Sequence, residues 1–285
     1  MDKELASNTS ITSHEAVEAL AREVVMASET GQMIPVPFSA RPGFDLNTAY
    51  EVEAILKRLS EASGHRAIGR KVGYANKAMW RILKLETLVW GHMYDDTVHY
   101  SENNSAAALT IANARSLKIE PEIVFGLKWE ITSENFDAAA ALESTEWLAL
   151  GFEIIDCPFP GWQFQPGDFV ASFGLHAALV VGEKIAVRPD SIAQLVDDLP
   201  RFKVRMLKAG ELVEEGSGKN SLRSPALCLA ELADAVAKRS PTEPLAAGEI
   251  ISTGTLTAGH ALEKGDVWTA EVTGLAVPAL TLTLA

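Results

Sequence analysis

Cysteine is scarce in this chain: Cys157 and Cys228 are the two among 285 residues, with no C-x-x-C and no framework spacing. A disulfide scaffold is excluded, and a reduced, cytoplasmic compartment is the expectation. Basic charge is also short, with 25 Lys and Arg against 38 Asp and Glu and a formal net charge of −13. Such an excess repels phosphate backbones and argues against nucleic acid as a partner. No apolar run approaches the ~18–20 residues of a membrane helix, and the start Met1-Asp2-Lys3-Glu4 lacks the basic and apolar regions of a secretory signal. There is no G-x-G-x-x-G, no alternating βαβ rhythm and no G-x-S-x-G, which argues against a doubly wound nucleotide-binding sheet and against serine hydrolysis. Neither cysteine has an obvious activating neighbour. No internal repeat and no long linker are seen. What is present is a globular composition, 47% hydrophobic and 22% charged, long enough to bury a real core. An enzyme, or a binding protein for something small, is the class that remains.

The first 80 or so residues read as helical. Thr12 and Glu15 have capping-box spacing ahead of Ala16, Leu20 and Val24–Val25, and Gly31 marks the expected stop. A second helix is expected from about Asn47 to Ser63, ended by Gly64. From residue 118 the texture changes to short runs rich in β-branched and aromatic residues: 118–126, 147–156 and 177–182. Phe202–Leu207 alternates and turns through Lys208-Ala-Gly-Glu211 as a hairpin. Ser224-Pro225 opens a helix to about Arg239, and strands are expected at 249–252, 267–272 and 277–284. The expectation is an α+β chain with a helical N-terminal part, about 1–80, and a β-rich catalytic part, about 81–285.

Glu120 and Glu122 are the most informative pair. Residues two apart on a strand point to one face, so both carboxylates lie together amid Ile119, Ile123, Val124 and Phe125. Burying them is costly unless something neutralises them. A divalent cation would do so, and Glu153, inside the apolar run 148–155, offers a third oxygen ligand. Three carboxylates without His or Cys suit Mg²⁺ or Mn²⁺ better than Zn²⁺. An edge strand with a charged outer face would show the same E-x-E spacing. In Ala67-Ile-Gly-Arg-Lys-Val-Gly73 alternation sends one of Arg70 and Lys71 inward, where it can neutralise a substrate carboxylate or stabilise an enolate. A surface cation pair is the alternative. Asp95-Asp96 follows Gly91-His-Met-Tyr94 in a loop, as solvated turn residues or with one as general base. Thr253-Gly254-Thr255 is a candidate backbone cradle for a carboxylate. Of the six histidines only His176, just before an apolar run, is a catalytic candidate, and a structurally satisfied histidine is equally open.

In this order and spacing the segments resemble the 2-keto-4-pentenoate hydratase and 4-oxalocrotonate decarboxylase family of the fumarylacetoacetate hydrolase superfamily, from about Tyr50 to the C-terminus. Gly69-Arg-Lys-Val-Gly73 resembles its glycine-bracketed catalytic lysine, Gly91–Asp96 its glycine-to-aspartate loop, Glu120-Pro-Glu122 its metal pair and Phe152–Asp156 the segment with the third metal carboxylate. Glu215–Gly218, Ser224-Pro225 and Leu245–Gly254 match its downstream framework. The resemblance implies a mixed β-roll and a homo-oligomer. It implies Mg²⁺ or Mn²⁺ on Glu120, Glu122 and Glu153, and a 2-oxo acid bound to that metal. Lys71 would assist an enolate, Asp95 or Asp96 would move protons at the distal carbons, and Arg70, Ser172, Thr253, Gly254 and Thr255 would contact substrate.

One stretch departs from the pattern. Hydratases of this family usually carry an Asp-Asn-Ala-Ser-like stretch before the strand at 177–181, and here that place reads Ser172-Phe-Gly-Leu-His176. The expectation is a metal-dependent lyase, hydratase or decarboxylase, on a 2-oxo (enol) acid, with an apolar tail on that acid or a different second step left open by the altered stretch. A C–C hydrolase of the acylpyruvase kind, using the same metal and a water activated by His176 or an acid, and a keto-acid-binding partner subunit without turnover, are the alternatives.

Overall fold

A computed structural model describes residues 13–102, 105–132 and 137–285. The elements run α1 (His14–Thr30), α2 (Leu46–Ala62), β1 (Ala67–Gly73), α3 (Lys77–Leu83), β2 (Val89–Tyr94), β3 (Val98–Tyr100), β4 (Ala106–Leu109), β5 (Leu117–Leu127), α4 (Ala138–Glu143) and β6 (Thr145–Asp156). There follow α5 (Pro166–Val170), β7 (His176–Val181), β8 (Ile185–Ala186), α6 (Ile192–Asp198), β9 (Lys203–Lys208), β10 (Glu211–Ser217), α7 (Pro225–Arg239), β11 (Ile250–Ser252), β12 (His260–Ala261), β13 (Val267–Thr273) and β14 (Leu280–Leu284).

Two sheets result. The larger has the order β2-β1-β11-β5-β6-β7-β3, with β12 also on β5 and β8 on β6; the smaller runs β10-β9-β13-β14-β4. This is the mixed β-roll expected, and no helix among the described residues is long and apolar enough to cross a membrane. The main core fills the space around both sheets and α7, with Phe125, Phe152, Leu229, Trp268 and Leu282 inside it. A second cluster packs α1 and α2 against α5 through Leu20, Val24, Val52, Leu56 and Phe169.

Most expected elements lie within a residue or two of their sequence signals, with instructive shifts. Thr12 lies outside the described residues. The α1 cap is Ser13, whose side chain accepts the Ala16 N–H, and Gly31 closes the helix in the left-handed region. Asp45 caps α2 through Thr48 N–H. The hairpin 203–217 turns at Ala209-Gly210, both at positive φ.

The segment 1–80 is not wholly helical: β1 lies inside the large sheet, parallel to β11 and antiparallel to β2. Its central place explains why Arg70 and Lys71 are both buried, where an exposed cation was expected for one of them. Gly69 is required by close approach, because a Cβ there would come 2.0 Å from the Ile250 carbonyl oxygen on β11. A Gly69→Ala variant is therefore expected to lose roughly 3 kcal/mol or more, as overpacking against backbone does. Urea unfolding beside wild type, with an unchanged m-value, checks it.

Candidate active site

Register brings the carboxylates together. On β5, Glu120 and Glu122 share a face, and the antiparallel pairing sets Glu153 of β6 directly opposite Glu120. Lys71 joins that face through β11: it pairs with Ser252, which in turn lies opposite Val124 of β5. Carboxylate oxygens of Glu120, Glu122 and Glu153 lie within 4.8 Å of one another. The Lys71 ammonium sits 3.0 Å from Glu153 Oε2, donates to the Gly174 carbonyl at 3.0 Å and lies 4.6 Å from the Phe169 ring centroid.

The loop after β11 completes the site. Strand β5 holds β11 at 124–126 and β12 at 118–119, and the chain between them, 253–259, arches over the gap. Pro121 falls in this gap, and its carbonyl takes the Leu256 N–H at 2.9 Å. Glu122 Oε2 accepts the Ser252 hydroxyl at 2.6 Å and the Gly254 N–H at 2.7 Å. Gly254 has φ +86°, and a Cβ there would meet the Ala75 methyl at 2.8 Å, so only glycine lets this N–H reach the carboxylate.

Three carboxylates beside one ammonium are under-neutralised. Burial first, and then the Glu153 charge, push Glu122 up to about 8; its hydrogen bonds and Lys71 oppose the rise. Glu120 keeps some surface at the rim, yet burial and the neighbouring Glu122 push it to about 8 as well. Glu153, fully buried, is raised by burial and held back by Lys71. Among the described residues Glu122 Oε1 is buried without a hydrogen-bond partner, and Glu153 Oε2 has no well-directed hydrogen bond although the Lys71 ammonium is beside it. Orphaned carboxylate oxygens converging on one point, without sulfur or imidazole among them, fit a hard divalent cation.

A cleft of about 480 Å³ opens from these groups. One wall is apolar, with Ile155, Phe164, Phe169 and Leu175; the other carries Asn76, Glu214, Asn220 and Thr257. Glu214 is fixed by the Ala258 N–H at 3.1 Å and by His260 Nε2 at 2.7 Å. Sequence reasoning missed Ser252, Glu214 and the aromatic wall. Only Ser252 left a signal, as the residue preceding the Thr253–Thr255 stretch.

Several expected site residues lie elsewhere. Arg70 points to the opposite face, where it reaches His92 Nε2 at 3.4 Å and the Glu243 carbonyl at 3.0 Å, so alternation removes it from the substrate. Asp95 accepts the Arg66 N–H at 3.0 Å, and Asp96 pairs with His65, also at 3.0 Å. Neither lines the cleft, because the chain turns away from it after β2. Ser172 is buried off the cleft. The Thr253 hydroxyl is bound to the Ile123 carbonyl at 2.8 Å, a strand-end role. Gly254 and Thr255 do line the cleft, but the Gly254 N–H holds Glu122 and is not free for a substrate carboxylate. His176 Nδ1 is 3.2 Å from Glu153 Oε1, and its Nε2 is 3.0 Å from Thr97 Oγ1. It lines a separate cavity behind Glu153, with Tyr94, Asp96 and Phe173. Burial, with the Lys71 charge, lowers its pKa to about 3.

This arrangement has relatives. The 2-keto-4-pentenoate hydratase 1 of Dechloromonas aromatica (strain RCB) is 29% identical over 270 residues, spanning 94% of this chain and 97% of its own. The 4-oxalocrotonate decarboxylase of Pseudomonas sp. (strain CF600) is 29% identical over 259 residues, 91% of this chain and 94% of its own. In fold, the 4-oxalocrotonate decarboxylase from Pseudomonas putida G7, complexed with magnesium and adipate, superposes with a TM-score of 0.85 over 97% of this chain and all of its own, at 24% identity. The family model described as fumarylacetoacetate (FAA) hydrolase C-terminal matches residues 90–282, the stretch that supplies all three glutamates and the loop arched over them. With that span matched and the β-roll in place, the chain belongs to the fumarylacetoacetate hydrolase family.

Proposed function

We propose that the protein is a divalent-metal-dependent lyase acting on a 2-oxo (enol) acid, a hydratase or decarboxylase of the 2-hydroxypenta-2,4-dienoate type. The observation that carries this reading is the buried Lys71 ammonium, 3.0 Å from one of three converging carboxylates at the end of a cleft with an apolar wall. Glu120, Glu122 and Glu153 would hold Mg²⁺ or Mn²⁺, which when bound supplies Lewis-acid stabilisation of an enolate. With such a dication the carboxylates keep one negative charge, which Lys71 cancels, so an anionic substrate can approach a protein of strongly negative net charge. Lys71 offers a proton donor to a developing enolate oxygen, and its contact with Phe169 keeps it dry. Ile155, Phe164 and Leu175 shed water from an apolar tail. Glu214, fixed on the polar wall, takes the distal proton-transfer role that Asp95 and Asp96 are too far round the strand end to fill.

Relatives that are hydratases and a decarboxylase support the lyase reading. Hydratase and hydrolase both need an activated water, so that need does not separate them; His176 is not its activator, since both ring nitrogens are engaged and the ring lies outside the cleft. A binder without turnover has no use for a buried enolate-stabilising lysine. The homo-oligomer belongs to the same reading, and exposed Leu212, Val213 and Val267 on the smaller sheet suit it.

The deciding assay gives metal-stripped protein 2-hydroxypenta-2,4-dienoate, 2-oxohex-3-enedioate or acylpyruvates, with and without Mg²⁺ or Mn²⁺. Metal-dependent loss of the dienol with one hydrated product, or CO₂ release from the diacid, is the expected result. Cleavage of an acylpyruvate into two acids would establish the hydrolase instead, and silence in every arm would end the lyase reading.

A further inference from the structure

The Ser172–His176 stretch, where the chain departs from its family, lies directly behind the carboxylate cluster. Strand β7 pairs with β6 as Ile154 with Ala178 and then Ile155 with His176, so Ala177 is an extra, bulged residue. Without that bulge His176 would sit on the face opposite Glu153, since side chains alternate. With it, the ring shares a face with Ile155 and Glu153, and bulges re-aim side chains in this way. The ring is nearly fully buried, with a side-chain exposure of 2%, between Glu153 Oε1 at 3.2 Å and Thr97 Oγ1 at 3.0 Å. Thr97 is anchored in turn, since its Oγ1 accepts the Tyr94 N–H at 3.2 Å and lies 3.0 Å from the Tyr94 carbonyl.

We infer that His176 is a positioning residue for Glu153: the chain Thr97–His176–Glu153 fixes which way this carboxylate faces and so tunes the affinity of the three-glutamate cluster for its cation. The inference rests on the metal reading proposed above. An ionised carboxylate only accepts, so Nδ1 carries the proton toward Glu153; Nε2 is then an acceptor, and the single Thr97 hydroxyl proton goes to it in place of the Tyr94 carbonyl, while the Tyr94 N–H still holds Thr97. A partner of this kind sets a ligand's orientation and basicity, and its loss typically costs about 10–100-fold in metal affinity. His176 touches neither the cleft nor the substrate path, which separates this role from the catalytic one expected of it.

Mn²⁺ titrated into metal-stripped protein, with free Mn²⁺ followed by electron paramagnetic resonance, tests the inference. His176→Leu is expected to raise the Mn²⁺ Kd at least ~10-fold, Thr97→Val several-fold, and His176→Asn, whose amide N–H stands where Nδ1–H was, less than ~3-fold. Turnover of His176→Leu is expected to recover at saturating Mn²⁺, where a lost catalytic group would leave kcat low. A merely structural histidine would lower the melting temperature and leave Kd unmoved. An unchanged Kd in His176→Leu, or an Asn variant as weak as the Leu one, overturns the inference. Should His176→Leu fail to fold, an unchanged Kd in Thr97→Val overturns it instead. Wild type binding no Mn²⁺ would remove the metal reading itself, and this inference with it.

Discussion

Replacing Lys71 by methionine is expected to lower kcat by roughly 10²–10³-fold, the usual loss when one donor to a developing oxyanion is removed, while Mn²⁺ still binds. Methionine keeps an unbranched apolar stem, one heavy atom shorter, and removes both the positive charge 3.0 Å from Glu153 and the ammonium's contact with the Phe169 ring. A dication would then meet three carboxylates with no competing ammonium, so its affinity holds or rises. The metal-free fold is expected to lose about 3–5 kcal/mol, because buried Glu153 loses its ion-pair partner and the Gly174 carbonyl its donor, and a bound dication offsets much of that loss. Steady-state kinetics beside a Mn²⁺ titration read the two effects separately. A kcat near wild type would remove Lys71 from the chemistry. Loss of Mn²⁺ binding would mean instead that Lys71 organises the carboxylates.

What could be read from the chain alone was local. The period-2 alternation of a strand is enough to place Glu120 and Glu122 on one face, and to separate Arg70 from Lys71. Helix signals worked for the same reason, since caps and stops act within a few residues. The site needed register. Glu153 meets Glu120 because β5 and β6 pair antiparallel with those residues opposite, which no spacing in the chain declares; only its apolar surroundings hinted at it. The two cations of β1 illustrate the limit from the other side. Alternation was right, but their common burial depends on β1 lying between β2 and β11. The glycine cradle at residue 254 was visible as a motif, and its ligand proved to be Glu122. Asp95 and Asp96 lie off the cleft, because direction after a strand end is not written in an acid pair. Nor was the bulge at Ala177, which turns His176 toward Glu153, foreshadowed by any local pattern.

Removing the metal should make stability depend on pH in a direction unusual for carboxylates. In the metal-free protein Glu120 and Glu122 hold protons up to about pH 8, against 4.5 for an ordinary glutamate. The folded state therefore binds more protons than the unfolded chain between those values, and stability falls as pH rises through that window before levelling above it. Glu122 interacts directly with Glu153, and its charge in turn raises Glu120, so the three carboxylates titrate together. Chelator-treated protein is expected to melt roughly 5–10 °C lower at pH 9 than at pH 6, if two pKa units on about one shared proton are lost. Saturating Mg²⁺ should flatten this dependence, because a bound dication removes the repulsion that raised both groups, and its binding at pH 7 should release protons measurably in weakly buffered solution. Calorimetric melting across pH 6–9, with and without Mg²⁺, reads the difference directly and cancels titrations elsewhere in the molecule. A metal-free profile parallel to the Mg²⁺ profile would mean that the carboxylates are not driven together, and the case for a cation on Glu120, Glu122 and Glu153 would lose its physical basis. A profile that falls with pH only when Mg²⁺ is absent ties the burial of those carboxylates to the ion that justifies it.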